Sequence, residues 1–229
     1  MDSRYLPQIR LPEVGIEGQE KLKNANVIIV GCGALGSPVA MYLAGAGIGH
    51  ITLADFDTVD ISNLHRQVFY KEDQVGLKKI DILKKNMQDL NQKVKISVIN
   101  KLVTANLLEN LDVKFNIFVD AADNPETTYI LDKYCVRNQI PFSSAGVSGW
   151  KAQIFTYFPG SLAYSDIFSR PQSGSHILPC SLEGILGPVA AYAASLQSIE
   201  VIKTILGIGE HSSSLITADL LKGDFIRIC

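Results

Sequence analysis

The residues with the clearest chemical potential open a short loop. Val27-Ile-Ile-Val30 is an unbroken β-branched run, and it leads directly into Gly31-Cys-Gly33-Ala-Leu-Gly36. Such a run reads as a buried parallel strand. A Gly-x-Gly-x-x-Gly loop between a strand and a helix lets backbone N–H groups approach a phosphate, and the helix N-terminus adds positive potential. Asp55 lies nineteen residues after Gly36, at the end of the next apolar run. A carboxylate in that place can accept hydrogen bonds from ribose hydroxyls. This much suits NAD as readily as ATP.

The residues that follow narrow the choice. Asp57 is followed by Ser62-Asn63-Leu-His65-Arg66-Gln67, then Gly76-x-x-Lys79, then Asp120-Ala-Ala-Asp123-Asn124. These supply an amide, an arginine, a lysine and a further carboxylate beyond the glycine loop. A dehydrogenase needs no such set. An enzyme that stabilises charge on a reacting triphosphate does, because cations offset phosphate oxygens and a carboxylate can hold Mg²⁺. Each piece also has a plainer reading: Asp57 and Asp60 as loop caps, Lys78-Lys79 as a solvated helix start, His65 as a solvent contact.

The elements that must position these groups alternate along the chain. A polar arm with a short helix spans residues 1–24. A small-residue helix covers about 34–47, and a second strand 51–54. Helical spacing runs over 74–91, a strand over 94–99, a short helix over 104–111, a strand over 116–120, a helix over 125–138, and a strand begins at 141. This βαβα order predicts an α/β fold: a Rossmann-like parallel sheet with helices on both faces. After Gly149 the aromatic, β-prone segment 150–158 predicts a strand antiparallel to its neighbours. Residues 159–182 are rich in Ser, Pro and Gly and are expected to form a mobile crossover loop. A long helix over about 189–206 and two closing strands near 214–218 and 224–228 complete an expected single domain, 1–229.

Composition sets the outer limits. Of 229 residues, 47% are hydrophobic and 19% charged, an ordinary globular balance. A net charge of −2 argues against broad contact with nucleic acid backbones. No leader pattern opens the chain and the richest apolar stretch is interrupted by Pro188, Gln197, Glu200 and Lys203, so the expected setting is the cytoplasm with no membrane span. Cys32, Cys135, Cys180 and Cys229 include no CxxC pair, so no zinc site is expected. Cys180 is a candidate loop nucleophile. Cys32 reads as a small filler and Cys135 as core.

Taken in order, these motifs resemble the HesA/MoeB/ThiF family, which is similar to the adenylation domain of ubiquitin-activating enzymes. Gln8-Ile9, Glu17-Gly18-Gln19, Asp55-Phe-Asp57, Gly184-x-x-Gly187-Pro188 and Gln197-x-x-Glu200-x-Ile202-Lys203 extend the resemblance over nearly the whole chain. It implies an ATP- and Mg²⁺-dependent adenylyltransferase. The substrate would be the C-terminal carboxylate of a ubiquitin-like sulfur-carrier protein ending in Gly-Gly, in thiamine or molybdopterin biosynthesis, and the enzyme a homodimer. It further implies that Asp55 holds the ribose, that Asn63, Arg66 and Lys79 neutralise phosphates, and that Asp123 holds Mg²⁺. Gly31, Gly33, Gly36, Asp57, Gln67 and Asn124 complete the nucleotide site, and Cys180 would link to the carrier or accept sulfur.

The sequence departs from the family pattern at identifiable places. Pro7 stands where the family carries an arginine that reaches into a partner's site, and Thr128 stands where it carries an arginine five residues after the Mg²⁺ aspartate. Both zinc-binding CxxC pairs are missing. These departures keep alternatives open: adenylation of a small-molecule or peptide carboxylate, or a non-catalytic nucleotide-binding subunit. An NAD-dependent oxidoreductase is more distant, since no second mononucleotide half is visible.

Overall fold

The computed structural model describes residues 3–168, 184–209 and 212–228. Its centre is an eight-stranded sheet in the order β3-β2-β1-β4-β5-β6-β7-β8. β1 (Asn26–Val30), β2 (His50–Ala54), β3 (Lys95–Ile99), β4 (Ile117–Asp120) and β5 (Phe142–Ser148) run parallel. β6 (Lys151–Tyr157), β7 (Ser214–Asp219) and β8 (Asp224–Ile228) continue antiparallel. Both the parallel half and the switch after Gly149 agree with the expected class.

The strand alternation explains why helices cover both faces. Successive side chains point to opposite sides of a strand. Val27 and Ile29 of β1 join the core formed with α3 (Gly36–Ala46), α4 (Lys79–Leu90) and α8 (Gly187–Leu206). Ile28 and Val30 join the other core, with α5 (Ala105–Glu109) and α6 (Pro125–Asn138). An all-apolar β1 therefore has no solvent face to lose. The alanines of α3, among them Ala40 and Ala44, are fully buried and let that helix lie close to the sheet and to α8.

The N-terminal arm is docked rather than free. α1 (Leu6–Ile9) and α2 (Gly15–Asn24) precede β1. Gln8 and Gln19 both donate to the Ala46 carbonyl, at 3.1 and 3.0 Å. Arg4 Nη1 donates to Leu90 O at 2.8 Å, and Asn91 Nδ2 to the Tyr5 hydroxyl at 2.7 Å. All of these contacts lie at the C-terminal ends of α3 and α4. The glycine loop lies at the opposite end of α3, about 16 Å away for an 11-residue helix.

Two boundaries differ from the expectation. The helix expected from Gln74 begins at Lys79. Gly76 adopts φ +85, which a right-handed helix cannot continue, and its N–H donates to Val59 O. Val75, which the helical spacing places on the apolar face, is consequently exposed. The loop expected to be mobile from residue 159 starts as a fixed segment. There α7 (Tyr164–Ile167) is held by α6, since the Asp132 carboxylate accepts the Tyr164 and Ser165 N–H groups at 2.9 and 3.2 Å. Tyr129 Oη donates to Phe168 O at 2.9 Å. The rest of that loop, from residue 169 onwards, lies outside the described residues.

α8 is long and apolar enough, by length and composition alone, to cross a bilayer. It instead packs on β4, β5, β6, α2 and α3. It also buries Gln197 and Glu200, as a core helix of a sheet does.

Candidate nucleotide site

The three glycines of the loop do different work. Gly31 has φ +93, and a Cβ on it would lie 2.5 Å from Ala121 O. A Cβ on Gly36 would lie 1.8 Å from Gly31 O, inside the loop itself. These two glycines therefore let the backbone close on itself at the mouth of α3. A Cβ on Gly33 would meet nothing nearer than Gln67 Nε2, at 3.5 Å. Gly33 is the one whose bareness faces open space. Gly31 and Gly33 line the large cavity of the molecule, whereas Gly36 is packed behind it.

Asp55 fastens this loop from β2. One carboxylate oxygen accepts the Cys32 N–H at 2.5 Å and the other accepts the Asp57 N–H at 2.8 Å. An ionised carboxylate has about four acceptor sites, so lone pairs remain for ribose hydroxyls. From the other side, Tyr70 Oη donates to Cys32 O at 2.6 Å. Sequence reasoning assigned Tyr70 no role, because its contact spans 38 residues. Cys32 is a filler, as expected, and burial pushes its thiol well up. The same holds for Cys135.

The segment between β2 and α4 brings the remaining polar groups. Lys79 is the first residue of α4 and its side chain is only 4% exposed. Its ammonium donates to Asp57 Oδ2 at 3.0 Å. A buried cation at a helix N-terminus opposes the helix dipole, so this position costs stability unless anions face it. Gln67 is buried, with Nε2 donating to Asn63 Oδ1 at 3.2 Å and Oε1 without a partner among the described residues. A buried acceptor of this kind normally has a donor. Arg66 Nη1 donates to Ser62 O at 3.1 Å and meets His65 Nε2 at 2.8 Å. This turn is pressed against α8: a Cβ on Gly187 would lie 2.9 Å from His65 O.

The far wall comes from the end of β4. Asp123 and Asn124 follow it in the β4–α6 connection. Asp123 is exposed, and no hydrogen bond or ion pair engages it among the described residues. Asn124 Oδ1 accepts the Thr127 N–H at 2.9 Å and so caps α6, a structural duty that the sequence reading did not assign. Thr128, at the departed arginine position, is buried and donates to Asp120 Oδ2 at 2.7 Å.

The structure therefore gathers nearly every expected site residue round one cavity of about 2030 Å³. Asp55, Asp57, Asn63, Arg66, Gln67 and Lys79 line it from one side, and Asp123 and Asn124 from the other. Cys180 lies outside the described residues. Pro7 and Arg4 sit with the docked arm and do not line it. Two features fit a triphosphate: the bare cradle over Gly33 and the buried Lys79 cation lining the same cavity. Among the described residues no three His, Cys, Asp or Glu side chains converge to hold a metal. The free carboxylate of Asp123 suits Mg²⁺ of the kind held mainly by phosphates and water.

Against known proteins, residues 5–229 match the ThiF family. The chain is 38% identical over 206 residues to the adenylyltransferase and sulfurtransferase MOCS3 of Culex quinquefasciatus, covering 90% of this chain and 47% of that protein. It is 37% identical over 227 residues to the Sus scrofa protein of the same name, covering 98% and 50%. The chain thus spans about half the length of these curated relatives. Among solved structures, Escherichia coli MccB with MccA-N7isoASN superposes with a TM-score of 0.86 at 28% identity, over 100% of this chain and 72% of that one. MccB with ATP gives 0.79 at 30% identity, over 92% and 65%. Matched by the ThiF model over residues 5–229 and by relatives at 37% and 38% identity over most of its length, the chain belongs to the ThiF family.

Proposed function

We propose that this protein is an ATP-dependent adenylyltransferase that activates a carboxylate as an acyl-adenylate, with release of pyrophosphate. The observation that carries this reading is the cavity in which Gly33 and Lys79 face Asp123. Lys79 and Arg66 offset the charge of the phosphates, while Asp55 offers acceptors to the ribose. Asp123 would hold Mg²⁺, which supplies Lewis-acid neutralisation of phosphate charge when bound. Asn63 and Gln67 add polar contacts, and catalysis consists of positioning and electrostatic stabilisation. No protein nucleophile is required for this step.

The acyl substrate we propose is the C-terminal carboxylate of a ubiquitin-like sulfur carrier ending in Gly-Gly, handled by a cytoplasmic homodimer in thiamine or molybdopterin synthesis. Relatives named adenylyltransferase and sulfurtransferase support it. The cavity volume supports a chain-like substrate, since a pocket for one ligand is typically about 300–1,000 Å³. A peptide carboxylate is the second reading, favoured by the solved complexes of MccB with MccA.

ATP–pyrophosphate exchange with Mg²⁺, with and without carriers ending in Gly-Gly, tests this. Carrier-dependent exchange is expected. ATP binding without exchange on any carrier would remove the carrier reading, and exchange on a peptide carboxylate would establish the second.

A further inference from the structure

Asp120, the last residue of β4, is almost wholly buried and forms no ion pair among the described residues. Oδ2 accepts two hydroxyl groups, from Thr128 of α6 at 2.7 Å and Ser144 of β5 at 2.8 Å. Oδ1 accepts the Ala122 N–H at 3.2 Å. The backbone oxygen of the same residue accepts Gln197 Nε2, from α8, at 2.8 Å, and that amide also reaches Ser143 O at 3.1 Å. One residue thus ties β4 to β5, α6 and α8 immediately before the Ala121–Asn124 loop. Ala121 in turn abuts Gly31. A buried anion whose donors among the described residues are all neutral is costly, and such costs are retained where a backbone must be held in one place.

We propose that ionised Asp120 is a positioning residue of this site: clamped by Thr128, Ser144 and Gln197, it fixes the loop that carries Asp123 and thereby makes Mg-ATP binding depend on pH. This rests on the reading of the cavity as an ATP site. Protonation would remove the acceptor that the two hydroxyls share, and the loop would lose its hold. Burial pushes the Asp120 carboxyl up to about 6, against the opposing pull of the Thr128, Ser144 and Ala122 hydrogen bonds. Among the described residues, the neighbouring elements present little else that titrates. β1 and β5 carry no charged side chain, and α8 presents Gln197. Cys135 of α6 is raised well above its usual value and Tyr164 of α7 is raised to about 12, so both stay neutral. Asp132 of α6 is committed to the α7 N–H groups.

The test is calorimetric affinity for ATP, with and without Mg²⁺, from about pH 5 to about pH 8, on wild type, Asp120→Asn, Thr128→Val and Ser144→Ala. In the wild type the Mg²⁺-dependent gain in affinity falls at least about tenfold on crossing the pH at which Asp120 titrates. In Asp120→Asn that break is absent. Thr128→Val and Ser144→Ala each remove a donor to the charged form, so the break moves upward by roughly one pH unit. A merely structural role would lower affinity at every pH without moving the break. Identical pH profiles in wild type and Thr128→Val would overturn the proposal while leaving the ATP site intact. Failure of the wild type to bind ATP at any pH would instead refute the proposed function, and the positioning role with it.

Discussion

Replacing Gly33 and Gly36 in turn by alanine separates the phosphate cradle from the fold. A methyl on Gly36 would lie 1.8 Å from the Gly31 carbonyl oxygen and 3.2 Å from Ala121 Cβ. Backbone atoms there must move, and overpacking of this kind costs about 1–3 kcal/mol or more. For a chain of this length each kcal/mol lowers Tm by about 2–4 °C, so Gly36→Ala is expected to melt at least several degrees lower. A methyl on Gly33 meets only the Gln67 amide, at 3.5 Å. Its backbone is not in the left-handed region, so the fold should be unchanged or slightly stabilised, by up to about 1 kcal/mol. The same methyl fills the space we assign to phosphate. Loss of one hydrogen bond to a charged ligand is worth about 1.5–3 kcal/mol, which converts to roughly 10- to 150-fold in ATP affinity. Thermal melting and calorimetric ATP titration of both variants provide the assay. Gly33→Ala binding ATP as wild type does would refute the placement of phosphate over Gly33.

Other outcomes follow from the same geometry. Lys79→Met keeps the buried volume but removes the cation, and exchange should fall about 10²- to 10³-fold, measured as kcat at saturating ATP. Asp123→Ala changes an exposed carboxylate with no partner among the described residues, so Tm should move by no more than the effect of about 0.5 kcal/mol while pyrophosphate exchange disappears. Asn124→Ala removes the α6 cap and should cost about 1 kcal/mol in urea unfolding. The Asp120 carboxyl is raised in the folded protein from 3.8 to about 6. Its protonated form is therefore favoured by folding, and its contribution is fully present below pH 3.8 and lost as pH rises through about 6. Between those values wild-type stability should decline by roughly 2–4 kcal/mol relative to Asp120→Asn, read from denaturant midpoints at each pH. A parallel course for the two proteins would contradict the buried setting.

Much of this molecule could be read from its residues in order, because the signals concerned are local. β-branched runs that end at Gly31, Asp55 and Asp120 mark strands whose C-terminal ends carry the site. Pro125 after Asn124, and Pro188 after Leu186-Gly187, mark helix starts. That Gly31, Gly33 and Asp55 would share one cavity was legible because their spacing is set by the strand–loop–helix unit itself. Where the reading went astray, a single backbone angle decided, as at Gly76, where helical periodicity in the side chains continued past a left-handed glycine. What only the tertiary structure decided were contacts between elements distant in sequence. Apolar spacing gave no reason to pair Thr128 with Asp120 and Ser144, or Tyr70 with Cys32, or to leave Gln67 Oε1 without a donor among the described residues. Nor could it separate the inward duty of Gly36 from the open face of Gly33. Periodicity reports which face of an element is buried; it does not report which polar group waits on the other side.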